Sequence, residues 1–155
     1  LYRSLSTGSA AAWARLGFYA AVVATAVWTV TGAIGLATAG AAANWQGALG
    51  TPGQAIAYSI AATFNSATDA LFSMFVIVNW AALILVGLAV SLSTLYPRWL
   101  GWIAVLLGVV TIPAVVIPQV VAGLSQAADV IFTILAILTL IWALVIGVLI
   151  TRKAW

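Results

Sequence analysis

Between Asp69 and Asp129 the chain carries a single charged side chain, Arg98, set in the stretch Tyr96-Pro97-Arg98-Trp99-Leu100-Gly101-Trp102. On each side of it runs an apolar segment long enough to cross a bilayer, which takes about 20 helical residues for roughly 30 Å of hydrocarbon. In that medium a chain must satisfy every backbone N–H and C=O internally, so such segments are helices. Composition gives the same class. Hydrophobic residues are 66% and charged residues 5% of the 155, with a mean hydropathy of +1.25, whereas a soluble domain carries roughly 25% charged residues. The expected fold is an all-α polytopic integral membrane protein: four transmembrane helices in an antiparallel bundle, with one additional interfacial helix.

The missing residue types narrow the chemistry. There is no cysteine and no histidine, so a His- or Cys-ligated metal or haem is not expected, nor is the commonest general base. The one lysine, Lys153, stands near the C-terminus, away from any position for a retinal Schiff base within a bundle. A net charge of +3 with scattered bases is not the footprint of a nucleic-acid binder. No catalytic triad, carboxylate dyad, phosphate loop or metal cluster can be assembled from the spacing of the polar residues.

In chain order, residues 1–12 carry Arg3 and the cluster Ser6-Thr7-Gly8-Ser9, which reads as a loop leading into a helix. The start at Leu1 is expected to be internal to a longer chain. A first span covers about 13–39. Its small residues Gly17, Ala21, Ala24, Thr31 and Gly35, with Trp28, form a stripe suited to close helix packing; the alternative for the stripe is a substrate path. Residues 40–53 read as a connection that ends in Thr51-Pro52-Gly53-Gln54, a capping box with Thr51 as N-cap and Gln54 reaching back. A helix running from there to Leu95 would be about 66 Å long. The expectation is therefore an interfacial or projecting helix over 52–66, the membrane surface or a bend at Thr63, Asn65, Ser66, Thr68 and Asp69, and a second span over 70–94. A third span over 97–121 contains Pro113 and Pro118 and is expected to kink or end early. Residues 122–128 form a turn before the fourth span, 129–150.

With four spans, Arg3, Arg15, Arg98, Arg152 and Lys153 fall on one side and Asp69 and Asp129 on the other. The positive-inside rule then places both termini in the cytoplasm, and the expected location is a cell (inner or plasma) membrane. Arg98, Trp99 and Trp102 become a cytoplasmic interface anchor in contact with anionic headgroups.

Asp69 and Asp129 are the first candidates for chemistry. At the outer headgroup level and at helix N-termini, their expected role is favourable contact with the helix dipole and water; the alternative is a paired cation site with Asn65 and Gln126. Asn79 lies deeper, and its expected role is an interhelical hydrogen bond, against a contact to a quinone or carotenoid headgroup. The prolines of the third span, with Thr111 and Gln119, either pack or line a pocket.

The turn at 96–102, followed by Ile103-Ala104-Val105-Leu106-Leu107-Gly108-Val109, resembles a segment of an uncharacterised family of small multi-pass bacterial membrane proteins, the 4386-type domain of unknown function, common in actinobacteria. The stretches Ala70-Leu71-Phe72-Ser73-Met74-Phe75 and Leu140-Ile141-Trp142 to Thr151-Arg152-Lys153 are similar too. The resemblance implies about six helices in a full-length member and carries over no activity and no site residue. The expected role is non-enzymatic: a small accessory or structural subunit of a membrane complex, acting through helix packing and contacts to lipid, quinone or carotenoid, with membrane lipids and other membrane subunits as partners. The alternative is a small transporter or channel-like protein using Asp69, Asp129 and a proline-kinked helix. An enzyme acting on lipids comes third.

Overall fold

A computed structural model describes residues 8–120 and 125–154. Among these all regular structure is α-helical: α1 (Gly8–Gly47), α2 (Gln54–Leu92), α3 (Arg98–Val120) and α4 (Ser125–Ala154). All four are long and apolar enough to cross a membrane, as in a multi-pass membrane protein. Arg3, Trp155 and positions 122–124 of the expected turn at 122–128 lie outside the described residues.

Two expectations about local structure are corrected. The first is the separate interfacial helix. Residues 54–92 form one uninterrupted α-helix, so no separate helix ends at 66. The polar cluster is absorbed by the helix's own backbone. Thr63 Oγ1 donates to the Ser59 carbonyl at 2.8 Å, Ser66 Oγ to Ala62 at 3.0 Å and Thr68 Oγ1 to Phe64 at 3.0 Å. A hydroxyl that finds a carbonyl one turn back needs neither water nor a break in the helix. The second is the cap. The Thr51 hydroxyl donates backward to the Ala48 carbonyl at 2.7 Å, while the Thr51 carbonyl accepts from the Gln54 N–H at 3.1 Å. Gln54 Oε1 does reach back, but it accepts from the Gly50 N–H at 2.9 Å. Gly50 stands at φ +76°, a backbone conformation that glycine takes without steric cost. The third span does not end early: α3 remains helical through Pro113 and Pro118 to Val120.

The helices divide into two compact units, residues 25–75 and residues 1–24 with 76–155. The 25–75 unit is an antiparallel hairpin. Trp28 lies against Phe75 with ring centroids 4.6 Å apart, and Trp45 against Tyr58 at 5.6 Å. Between these pairs, the Thr38 and Thr68 hydroxyls are 2.9 Å apart.

The other unit is held by near backbone contact. A Cβ on Gly87 would stand 2.7 Å from the Gly101 carbonyl oxygen, one on Gly101 would strike the Gly87 carbonyl and the Ser91 backbone, and one on Gly108 would meet the Trp80 carbonyl at 2.8 Å. Opposite Gly101 stand residues 87 and 91, and opposite Gly108 residues 80 and 84, so α2 and α3 run antiparallel. Lipid tails are as apolar as leucine, so intimate van der Waals contact of this kind, rather than hydrophobicity, drives helices together in a bilayer. Gly17 brings α1 against Val86 and Ala82 of α2 in the same way.

Candidate functional site

The α2–α3 turn shows what its residue types do. The chain leaves α2 through Ser93, whose N–H and hydroxyl both reach the Val90 carbonyl, at 3.2 and 2.9 Å. Tyr96 and Leu100 then turn inward and are buried, while Pro97, Arg98, Trp99 and Trp102 are exposed. Gly101 faces α2, where no side chain would fit. The α4 helix reaches the same place: Trp142 Nε1 donates to the Leu100 carbonyl at 2.8 Å, a buried bond across 42 residues. The indole is thereby oriented at both its apolar and its polar edge.

Around this bond a core cluster contains Ala14 of α1, Tyr96 and Leu100 of the turn, and Trp142 and Ile146 of α4. The start of α1, the α2–α3 turn and the C-terminal half of α4 therefore meet at one end of the unit. Arg15 follows Ala14, Arg98 precedes Leu100 by two residues and Arg152 lies six residues beyond Ile146, so these three bases gather at that end. Asp129 is 13 residues before Trp142 along α4, about 20 Å away at 1.5 Å per residue.

Beside the cluster, α3 and α4 leave an open groove of about 370 Å³, walled by Trp99, Ile103 and Leu107 on one side and Leu138, Ile141 and Val145 on the other. Its walls are almost wholly apolar, and Trp99, 59% exposed, stands where it opens toward the basic end. Ligand pockets span roughly 300–1,000 Å³; this one is at the small end and offers hydrocarbon contact.

The other candidates do not converge. Asp69 accepts a hydrogen bond from Asn65 Nδ2 at 3.1 Å on the exposed face of α2. It lies 15 residues past the start of that helix, where the helix dipole has no purchase, since the effect is confined to the first turn; the dipole role expected for Asp69 is thus overturned. Asp129 is exposed, four residues after the first residue of α4 and just beyond its first turn; its carbonyl accepts from Thr133 Oγ1 at 2.8 Å. Asp69 and Asn65 belong to one compact unit, Asp129 and the exposed Gln126 to the other. Asn79 is half-buried on α2. Thr111 is fully buried, its hydroxyl held by the Leu107 carbonyl at 2.6 Å, so it packs and closes its own helix turn. Asp69→Asn and Asp129→Asn should each change stability by no more than about 0.5 kcal/mol, the scale of an exposed i, i+4 pair. The check is the melting temperature of the detergent-solubilised protein with and without added calcium, which should move equally in wild type and variants.

Sequence reasoning gave Trp142 no role and, although it reads the helical glycines as packing positions, did not pair those of α2 with those of α3. The signals were present: a tryptophan in mid-span, away from the interfacial belt where the residue is enriched, and small residues at 101, 104 and 108 on one face of α3. No family model, curated protein or solved structure matches the chain.

Proposed function

We propose that this is a non-enzymatic accessory or structural subunit of a bacterial plasma-membrane complex, with both termini cytoplasmic, an antiparallel four-helix arrangement in the membrane, and function exerted through helix packing and lipid contacts. The kinship expected from residues 96–102 belongs to the same proposal. The observation that carries the reading is the division of labour among the side chains at the basic end. Polar and small groups there act within the fold, while large apolar groups face outward along α4, where Leu140 and Leu144 are 63% and 69% exposed. Such faces are solvated by lipid or covered by neighbouring helices. Arg15, Arg98 and Arg152 at one end support the orientation, because basic residues are retained on the cytoplasmic side.

The test is purification from native membranes in a mild detergent, together with a topology reporter fused after Lys153. Stoichiometric membrane polypeptides that copurify, and a reporter active only in the cytoplasm, are the expected results. Recovery of the chain alone, with turnover of a lipid or movement of a solute in vesicles, would replace the reading with an enzyme or a transporter.

A further inference from the structure

We propose that the α3–α4 groove is a binding site for one anionic phospholipid, with an acyl chain between the helices and the phosphate against Arg98. The inference deepens the lipid contact proposed above and rests on that reading.

Three observations meet at this place. The groove is apolar along its length and open at its side, so a chain can enter from the bilayer. From Leu100 to Leu107 it follows α3 for about 10 Å at 1.5 Å per residue, which fits within one leaflet, half of the roughly 30 Å of hydrocarbon. The groove is therefore a site for a single chain and not a passage across the membrane. The charge is at one end only. Arg98 opens α3 immediately before Trp99, which lines the groove, and both are exposed. Arg152, also exposed, lies seven residues beyond Val145 on the opposite wall. Within this unit the one acidic side chain, Asp129, is toward the far end of α4. An arginine carries a planar fork of donors suited to a phosphate.

The groove is also held open by the fold. The Trp142 indole, which forms its floor beside Leu100, is tied to the Leu100 carbonyl at 2.8 Å and cannot swing in to fill it without breaking that bond. Trp99 is free of that constraint and stands at the headgroup level, where an indole contacts both glycerol and chain. A zwitterionic lipid fills the groove with the same chain but brings its phosphate with a compensating cation, so charge complementarity selects the anionic lipid.

The test uses the whole protein in phosphatidylcholine vesicles that contain a minor fraction of lipid brominated on its chains, either phosphatidylglycerol or phosphatidylcholine. Bromine quenches tryptophan only on contact, and Trp99 and Trp142 line the groove. The brominated phosphatidylglycerol should quench more strongly, with about fivefold enrichment at the groove, the equivalent of about 1 kcal/mol for one basic residue at a headgroup surface. The excess should vanish in Arg98→Gln, persist in Arg98→Lys, shrink in Trp99→Leu, and fall in the wild type at 1 M salt, where the Debye length is about 3 Å. The salt arm needs no variant, so a misfolded Arg98→Gln protein leaves the test intact. Equal quenching by the two lipids in the wild type, or an excess that survives both Arg98→Gln and high salt, would overturn the proposal. Copurification of partner subunits is read in a separate experiment, so either reading can fail without the other.

Discussion

Replacing Trp142 with alanine should destabilise the protein by about 3–5 kcal/mol, the range for removing a large aromatic side chain from a packed core. Trp142 is 8% exposed and joins α4 to the cluster that contains Ala14, Tyr96 and Leu100. Its loss removes the indole's contacts and the one bond that α4 makes to the Leu100 carbonyl. Trp142→Phe keeps a six-membered ring in the cluster but removes the N–H together with the fused ring, so it should cost the interhelical hydrogen bond, about 1 kcal/mol, plus part of the packing, and stay less costly than Trp142→Ala. Unfolding of the purified protein in mixed micelles, followed by circular dichroism, measures both. A Trp142→Ala protein as stable as the wild type would show that α4 is held elsewhere.

Gly101→Ala should cost about 1–3 kcal/mol, although it adds one methyl group and improves helix propensity. The methyl meets the Gly87 carbonyl and the Ser91 backbone, neither of which can rotate aside, so the two helices must separate or shift. Overpacking of this kind typically costs that much. Gly147→Ala on α4 and Gly35→Ala on α1 are the controls: nothing lies within 4 Å of a Cβ at either place, and both should be neutral or slightly stabilising. The same unfolding measurement applies. Equal behaviour of Gly101→Ala and Gly147→Ala would remove the close approach of α2 and α3 as a source of stability.

These glycines also show where reading the chain stops. The stripe expected on the first helix ran from Gly17 to Gly35. Gly17 does press against Val86, and Ala24 is 1% exposed, but Gly35 borders open space. In water an apolar face identifies the core, because hydrophobicity separates inside from outside. In lipid both sides of a helix are apolar, and that signal disappears. For the same reason no pattern in α4 distinguished buried Trp142 from exposed Leu144. The polar cluster at Thr63 to Asp69 misled in the opposite direction. Polarity there reads as a membrane surface or a bend, yet each hydroxyl bonds to a carbonyl of its own helix, and the helix runs on.

The sequence by itself determined the class: four helices long and apolar enough to cross a membrane follow from chain length, hydropathy and the obligation to satisfy backbone hydrogen bonds within each segment. It also determined where charge can stand, because five bases and two acids leave few arrangements. Tertiary structure alone decided which small residues touch, that Trp142 closes on Leu100, and that a groove remains between α3 and α4. Those outcomes depend on fits of a few tenths of an ångström between neighbouring helices, and no property of a residue taken singly contains them.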